Sequence, residues 1–168
     1  LAPGGEAWFG DAGRGPAVVI GLDEGDELRW VEMTDGAQEV VLVTRHAQAI
    51  RFSEAEVRPM GLPAAGVLAV KMEADGALVG MGIHRTGAFV VTFTEAGFGK
   101  RTLCDLFPLQ KRHGTGVQAA RCTARTGLLA VAAWLPIKIS AIGIQWPDIN
   151  ANPADFELKP ENHFEADF

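Results

Sequence analysis

The sequence predicts an all-β fold of radially repeated blades, and three observations carry that reading. Two stretches repeat fifty residues apart, each repeat holds four short apolar or β-branched runs, and no amphipathic helix separates the runs. VVLVTRHAQAIRF (40–52) lies over VVTFTEAGFGKRT (90–102), pairing Val41 with Val91, Thr44 with Thr94 and Arg51 with Arg101. The same shift pairs Gly66-Val67 with Gly116-Val117, Ala69 with Ala119, Lys71 with Arg121 and Leu78 with Leu128, with no gap. A third, partial copy precedes them: GDELRWVEM (25–33) falls on DGALVGMGI (75–83).

Within a repeat, VVLVT and FVVTF are apolar, β-branched runs of strand length. AIRF and FGKRT follow after a few turn-type residues, as the second arms of hairpins. GVLAVKM and GVQAARC, then ALVGMGI and LLAVAAW, supply two further strands, with turns at EADG and ARTG. Strands are therefore expected near 40–45, 49–52, 67–72, 77–83, 89–94, 117–122 and 127–134. At this period 168 residues hold about three four-stranded units. The repeat fades after Trp134, and the following Pro, Asn and acidic residues read as an extended arm with Ile139–Trp146 as a last strand. The chain divides into a repeat domain (1–139) and an acidic, aromatic-containing C-terminal arm (140–168).

Charge is unevenly placed. Residues 1–39 carry a net −7, residues 40–139 a net +6 and residues 140–168 a net −5. A basic centre between acidic ends points to a polyanionic partner, or to acidic ends that pair with the centre inside one fold. No apolar run approaches the roughly 18–20 residues of a membrane-spanning helix, so no membrane insertion is expected. Cys104 and Cys122 are too few for a disulfide framework and read as reduced thiols. The opening LAPGGEAWFG has neither an initiator Met nor a signal-peptide pattern, and reads as the start of a fragment or a processed chain. GFGKRT has no Walker spacing, GMGIHRTG is no dinucleotide fingerprint, and the four His show no ligand spacing. No cofactor and no metal are expected.

The phrases GDEL, VLVT..QAIRF, EVRPMG, GFGKRT and LQKRHGTGV, in this order, resemble the C-terminal domain of the gyrase A protein of DNA gyrase and its topoisomerase IV counterpart. The resemblance covers about residues 13–134. It implies a β-pinwheel of propeller-like blades, here a partial one, whose basic outer rim binds and bends DNA. QKRHGTG (110–116) is similar to the family's wrapping motif, the gyrase box. Gln110, Lys111, Arg112, Gly114 and Gly116 stand where the motif wants them, while His113 replaces a glycine and Thr115 a basic residue.

DNA wrapping needs phosphate neutralisation without base reading, so a periodic rim of cations suffices. The expected DNA-binding residues are Arg45, Arg51, Arg58, Lys71, Lys100, Arg101, Lys111, Arg112 and Arg121. Glycines beside them let the main chain approach a phosphate. The chain has no Tyr, the nucleophile of topoisomerase cleavage, and no paired carboxylates or triad, so a binding module is expected and no enzyme. The expected partner is the duplex DNA backbone, in the cytoplasm on the nucleoid. The alternative is a repurposed pinwheel that serves as a structural subunit of a larger, organellar assembly or a homo-oligomer. In the arm, Trp146, Phe156, Phe164 and Phe168 are expected as apolar pegs on a partner protein, or else the arm's acids compete with DNA for the rim.

Overall fold

In the computed structural model, which describes residues 6–7 and 17–135, the chain forms nine strands. In chain order they are β1 (Glu6–Ala7), β2 (Ala17–Val18), β3 (Glu39–Thr44), β4 (Gln48–Ser53), β5 (Leu78–Ile83), β6 (Phe89–Thr94), β7 (Gly99–Leu103), β8 (Val117–Gln118) and β9 (Leu129–Leu135). Single 3-10 turns, Glu54–Glu56 and Cys104–Leu106, follow β4 and β7. No α-helix occurs among the described residues. The expected arm (140–168), with Trp146, Phe156, Phe164 and Phe168 and the expected strand 139–146, lies outside the described residues.

The fifty-residue repeat is a repeat of sheets. Blade 1 has the order β5-β3-β4-β8 and blade 2 the order β7-β6-β9, both antiparallel. The hairpins keep one register: Leu42 faces Ile50 in blade 1, and Thr92 faces Lys100 in blade 2. The repeated threonines close the hairpin turns. Thr44 Oγ1 accepts from Gln48 N at 3.1 Å, and Thr94 Oγ1 accepts from Phe98 N at 3.2 Å, both from buried positions. Each turn passes through a left-handed residue, Ala47 at φ 61° and Gly97 at φ 82°.

Two expectations change. The repeat is not gap-free: β5 places Ile83 beside Val40, whereas β9 places Trp134 beside Val90, a shift of fifty-one. Leu78 therefore corresponds to Leu129, because ARTG (124–127) is one residue longer than ADG (74–76). Nor is 67–72 a strand, and 117–122 shrinks to the two residues of β8. Val70 makes only an isolated parallel bridge to Gly114. The cause is topological: β8 leaves its own repeat and lines the outer edge of β4, with Ala49 opposite Val117. The outermost strand of a blade is thus supplied by the following repeat.

The third copy survives as a remnant. Ile20 bridges Ala64 as Val70 bridges Gly114, and Gly21 N donates to Ala64 O at 2.8 Å as Lys71 N does to Gly114 O at 2.9 Å. Residues 25–33 form no strand, and Val31 and Met33 are exposed.

The core has two parts. Val41, Val43 and Ala49 of blade 1 meet Val90, Leu129 and Ala132 of blade 2, with Cys104, Phe107, Ala119 and Ala120 of the connecting segments between them. On the other side of blade 1, Leu42, Ile50 and Phe52 are covered by Val57, Ala69 and Val70. Where the inner strands meet, Gly80 and Gly82 admit Ala132 and the Trp134 indole; a Cβ on Gly82 would lie 2.5 Å from Trp134 Cδ2.

Candidate nucleic-acid interface

Four of the nine expected cations are engaged by groups of the fold itself. Arg51, on the blade 1 face that meets blade 2, donates from Nε to Glu39 Oε2 at 2.5 Å and from Nη1 to Phe107 O at 3.0 Å. Its side chain is 15% exposed, so it is a strut between blades. Arg112 of the QKRHGTG loop donates to Leu68 O at 3.0 Å and Glu56 O at 3.2 Å, while its own N–H donates to Glu56 Oε2. It staples the loop onto blade 1. Lys100 Nζ donates to Ala119 O at 2.6 Å. Arg45 pairs with Glu95, its counterpart fifty residues on, at 2.5 Å. That guanidinium and the Leu128 N–H hold the Glu95 carboxyl below its ordinary range.

Gly116 of the loop serves packing. Gly116, at φ +77°, lies so close to Ala49 that a Cβ would enter the radius of its carbonyl oxygen. Gln110 N donates to Arg51 O and His113 N to Ala69 O, which binds the loop to blade 1 along its length. The sequence expectation of main chain free to approach phosphate does not describe this loop.

The remaining expected cations are exposed and make no side-chain hydrogen bond to the fold among the described residues. Arg58, Lys71, Lys111 and Arg121 have no acidic partner within ion-pair distance among the described residues. Lys71 and Arg121 hold the same place in successive repeats, just beyond the segments 66–70 and 116–120. Lys71 borders a shallow depression of about 250 Å³ with His46, Gln48 and Thr115, and His46 is tied to Asp75 at 3.0 Å. Arg101 is exposed but stacks its guanidinium 4.4 Å from the centroid of Phe89. Two exposed arginines without an acidic partner among the described residues were not expected, Arg85 and Arg125; Arg29 is exposed but paired with Glu27. Arg125 lies over Phe98 and occupies the longer ARTG turn, and that single insertion was the signal available for it.

Neither thiol is poised for chemistry: burial pushes both Cys104 and Cys122 up, away from the thiolate. The Asp105 carboxyl is held below its ordinary range by the Gly87 N–H and then by His84, whose Nε2 lies 2.9 Å away. His84 also approaches Glu39 at 3.5 Å, so it joins the 3-10 turn after β7 to the Arg51–Glu39 pair.

Comparison with known proteins places this arrangement. Residues 38–85 and 88–126, more than half of the chain, match the family profile of the DNA gyrase C-terminal domain, beta-propeller. The DNA gyrase A protein of Aminobacterium colombiense is 40% identical over 116 residues, 69% of this chain and 14% of that protein. The Pseudomonas aeruginosa gyrase A protein is 41% identical over 115 residues, 68% of this chain and 12% of that one. The chain therefore spans less than a fifth of the length of these relatives. The solved C-terminal domain of DNA topoisomerase IV superposes with a TM-score of 0.66 at 26% identity, covering 72% of this chain and 38% of that one. The solved C-terminal domain of DNA gyrase A, with a TM-score of 0.63 at 21% identity over 71% of this chain and 41% of that one, shares the fold. The matched profile runs from the start of β3 in blade 1 to the turn before β9 in blade 2, and the chain belongs to the DNA gyrase C-terminal domain family of β-propellers.

Proposed function

We propose that the chain is a non-catalytic module that binds the duplex DNA backbone without reading sequence, on the nucleoid in the cytoplasm. One observation carries the reading: Lys71 and Arg121 recur at the same place in both repeats, exposed and unpaired with acid among the described residues. Cations at a regular angular step neutralise successive phosphates of a curved duplex, and this requires no base contact. Lys111, Arg58, Arg85 and Arg125 extend the set. Arg51, Arg112, Lys100 and Arg45 support the blades that carry it. Family membership supports the same reading, and the chain's lack of Tyr agrees with a role beside a separate cleavage centre.

The test is fluorescence anisotropy with a random-sequence duplex across a salt series. The logarithm of affinity should fall linearly with the logarithm of salt. The triple variant Lys71→Gln/Lys111→Gln/Arg121→Gln should flatten the slope by about 3 units, at about 0.9 for each phosphate no longer neutralised. Absence of salt-sensitive binding by the unaltered chain overturns the proposal.

A further inference from the structure

β4 and β7 hold the same place in their blades, yet their outer edges differ. β8 lies along β4, and Ala119 N donates to Ala47 O at 2.8 Å. β7 pairs with β6 on one side and with no strand on the other among the described residues. An edge strand with unpaired N–H and C=O groups is a template for another strand.

The same chain holds an unused copy of the covering element. Gly66-Val67 is the counterpart of Gly116-Val117, and its turn has the same backbone conformation, φ +76° against +77°. A Cβ on Gly116 would strike Ala49, whereas one on Gly66 meets nothing within 4 Å. Val117 packs on the core between the blades; Val67 belongs to neither core cluster among the described residues, and Leu68 beside it is 67% exposed.

We propose that a second copy of this chain completes blade 2, head to tail. Residues 66–68 of one copy lie along β7 of the next in the register that β8 keeps with β4, Val67 opposite Gly99 and Leu68 opposite Phe98. Arg101 then reaches the Val57 carbonyl of the second copy, as Arg51 reaches Phe107 O within the chain. The faces fit in chemistry. Blade 2 presents Phe93 and Val131, cross-strand neighbours that are both exposed, and blade 1 presents a groove lined by Val40, Val57, Met81 and Ile83. The two segments also differ in sign: residues 17–39 hold seven acids and one arginine, and residues 85–125 hold seven cations and two acids.

The new contact is wider at the inner strands than the internal one. A Cβ on Gly80 would come within 2.5 Å of Ala132 O, and the corresponding places in blade 2 are Val131 and Ala133. The incoming inner strand therefore stands off by the depth of those side chains. A head-to-tail contact extends into chains or closes into rings and does not stop at a dimer.

Sedimentation velocity of the full 168-residue chain tests this, with two single variants that each disable one half of the contact. The unaltered chain should grow with concentration past twice its 17.9 kDa. Val67→Asp alone and Val131→Asp alone should stay monomeric, and their equimolar mixture, which retains one intact contact, should form dimers and nothing larger. A monomeric unaltered chain at every concentration overturns the proposal, as does a mixture that behaves like its components. Hydrogen exchange on the unaltered chain reads the contact without substitution. Protection at 66–68 and 99–103 should rise together with concentration, and no change at either segment overturns the proposal.

Discussion

Blade 1 and blade 2 carry an arginine at the same place, Arg51 on β4 and Arg101 on β7. Arg51 lies between the blades, paired with Glu39 and hydrogen-bonded to the Phe107 carbonyl. Arg101 projects from the outer face of blade 2, where position 89 offers a phenyl ring in place of the Glu39 carboxylate. The backbone position is the same and the role is not. In a repeat array the neighbouring unit decides whether a repeated residue is core or surface, because each face is buried only by the next blade. Periodic cations are therefore insufficient as a sign of a periodic binding rim.

The comparison breaks first at the glycine pair. Gly116→Ala should destabilise by about 2–4 kcal/mol, combining a left-handed backbone with a collision at Ala49, while Gly66→Ala should cost only about 1 kcal/mol, from backbone conformation alone. Urea midpoints measure both, and equal losses would remove the distinction between the occupied and the open end.

The arginine pair comes next. Arg51→Met should cost about 2–3 kcal/mol, because Glu39 and the Phe107 carbonyl lose a partner in a half-buried site. Arg101→Met should cost under about 1 kcal/mol, the worth of an exposed cation over an aromatic ring. A larger loss at Arg101 in dilute, monomeric protein would invert the assignment.

The neighbours Lys111 and Arg112 sharpen the contrast within one loop. Arg112→Met should lower stability by about 1–2 kcal/mol by removing the guanidinium's hydrogen bonds to Glu56 O and Leu68 O, and should leave the salt slope of DNA binding unchanged. Lys111→Gln should leave the urea midpoint in place and reduce that slope by about 0.9. A shared response of both variants in either measurement would merge the two roles.

The smallest expected effect is acidic. Asp105 is held below its ordinary range in the fold, so its contribution to stability is present at neutral pH and is lost as pH falls through the folded value. Asp105→Asn should lower stability at neutral pH slightly and flatten the acid limb of a stability-against-pH curve below the ordinary carboxylate range. An unchanged acid limb would mean that the Gly87 and His84 interactions do not differ between the folded and unfolded chains.

The hairpins were legible in sequence because their determinants are local. A β-branched run and a threonine that accepts the turn N–H recur at fixed spacing in VVLVTRHAQAIRF and VVTFTEAGFGKRT, although the left-handed place falls on Ala47 in one and Gly97 in the other. The one-residue shift at ARTG was hidden because Leu128 and Leu129 are alike, and the register of β9 on β6, with Trp134 beside Val90 and Leu129 beside Thr94, distinguishes them. GVQAARC read as a full strand of its own unit because its composition suits one, whereas its partner lies in the preceding blade and accommodates two residues.

By itself the sequence determined the all-β class, the repeat, the hairpin registers and the cationic character of the middle of the chain, all consequences of residue type within a few positions. The tertiary structure alone decided the exchange of β8 between blades and the sorting of the cations. Arg51, Arg112 and Lys100 were engaged by carbonyls at Phe107, Leu68 and Ala119, nineteen to fifty-six residues away, which chain packing brought within reach. Lys71, Lys111 and Arg121 met no such acceptor among the described residues and remained in solvent. The charge was written locally; the distance to an unsatisfied oxygen was set by the packing of one blade on the next.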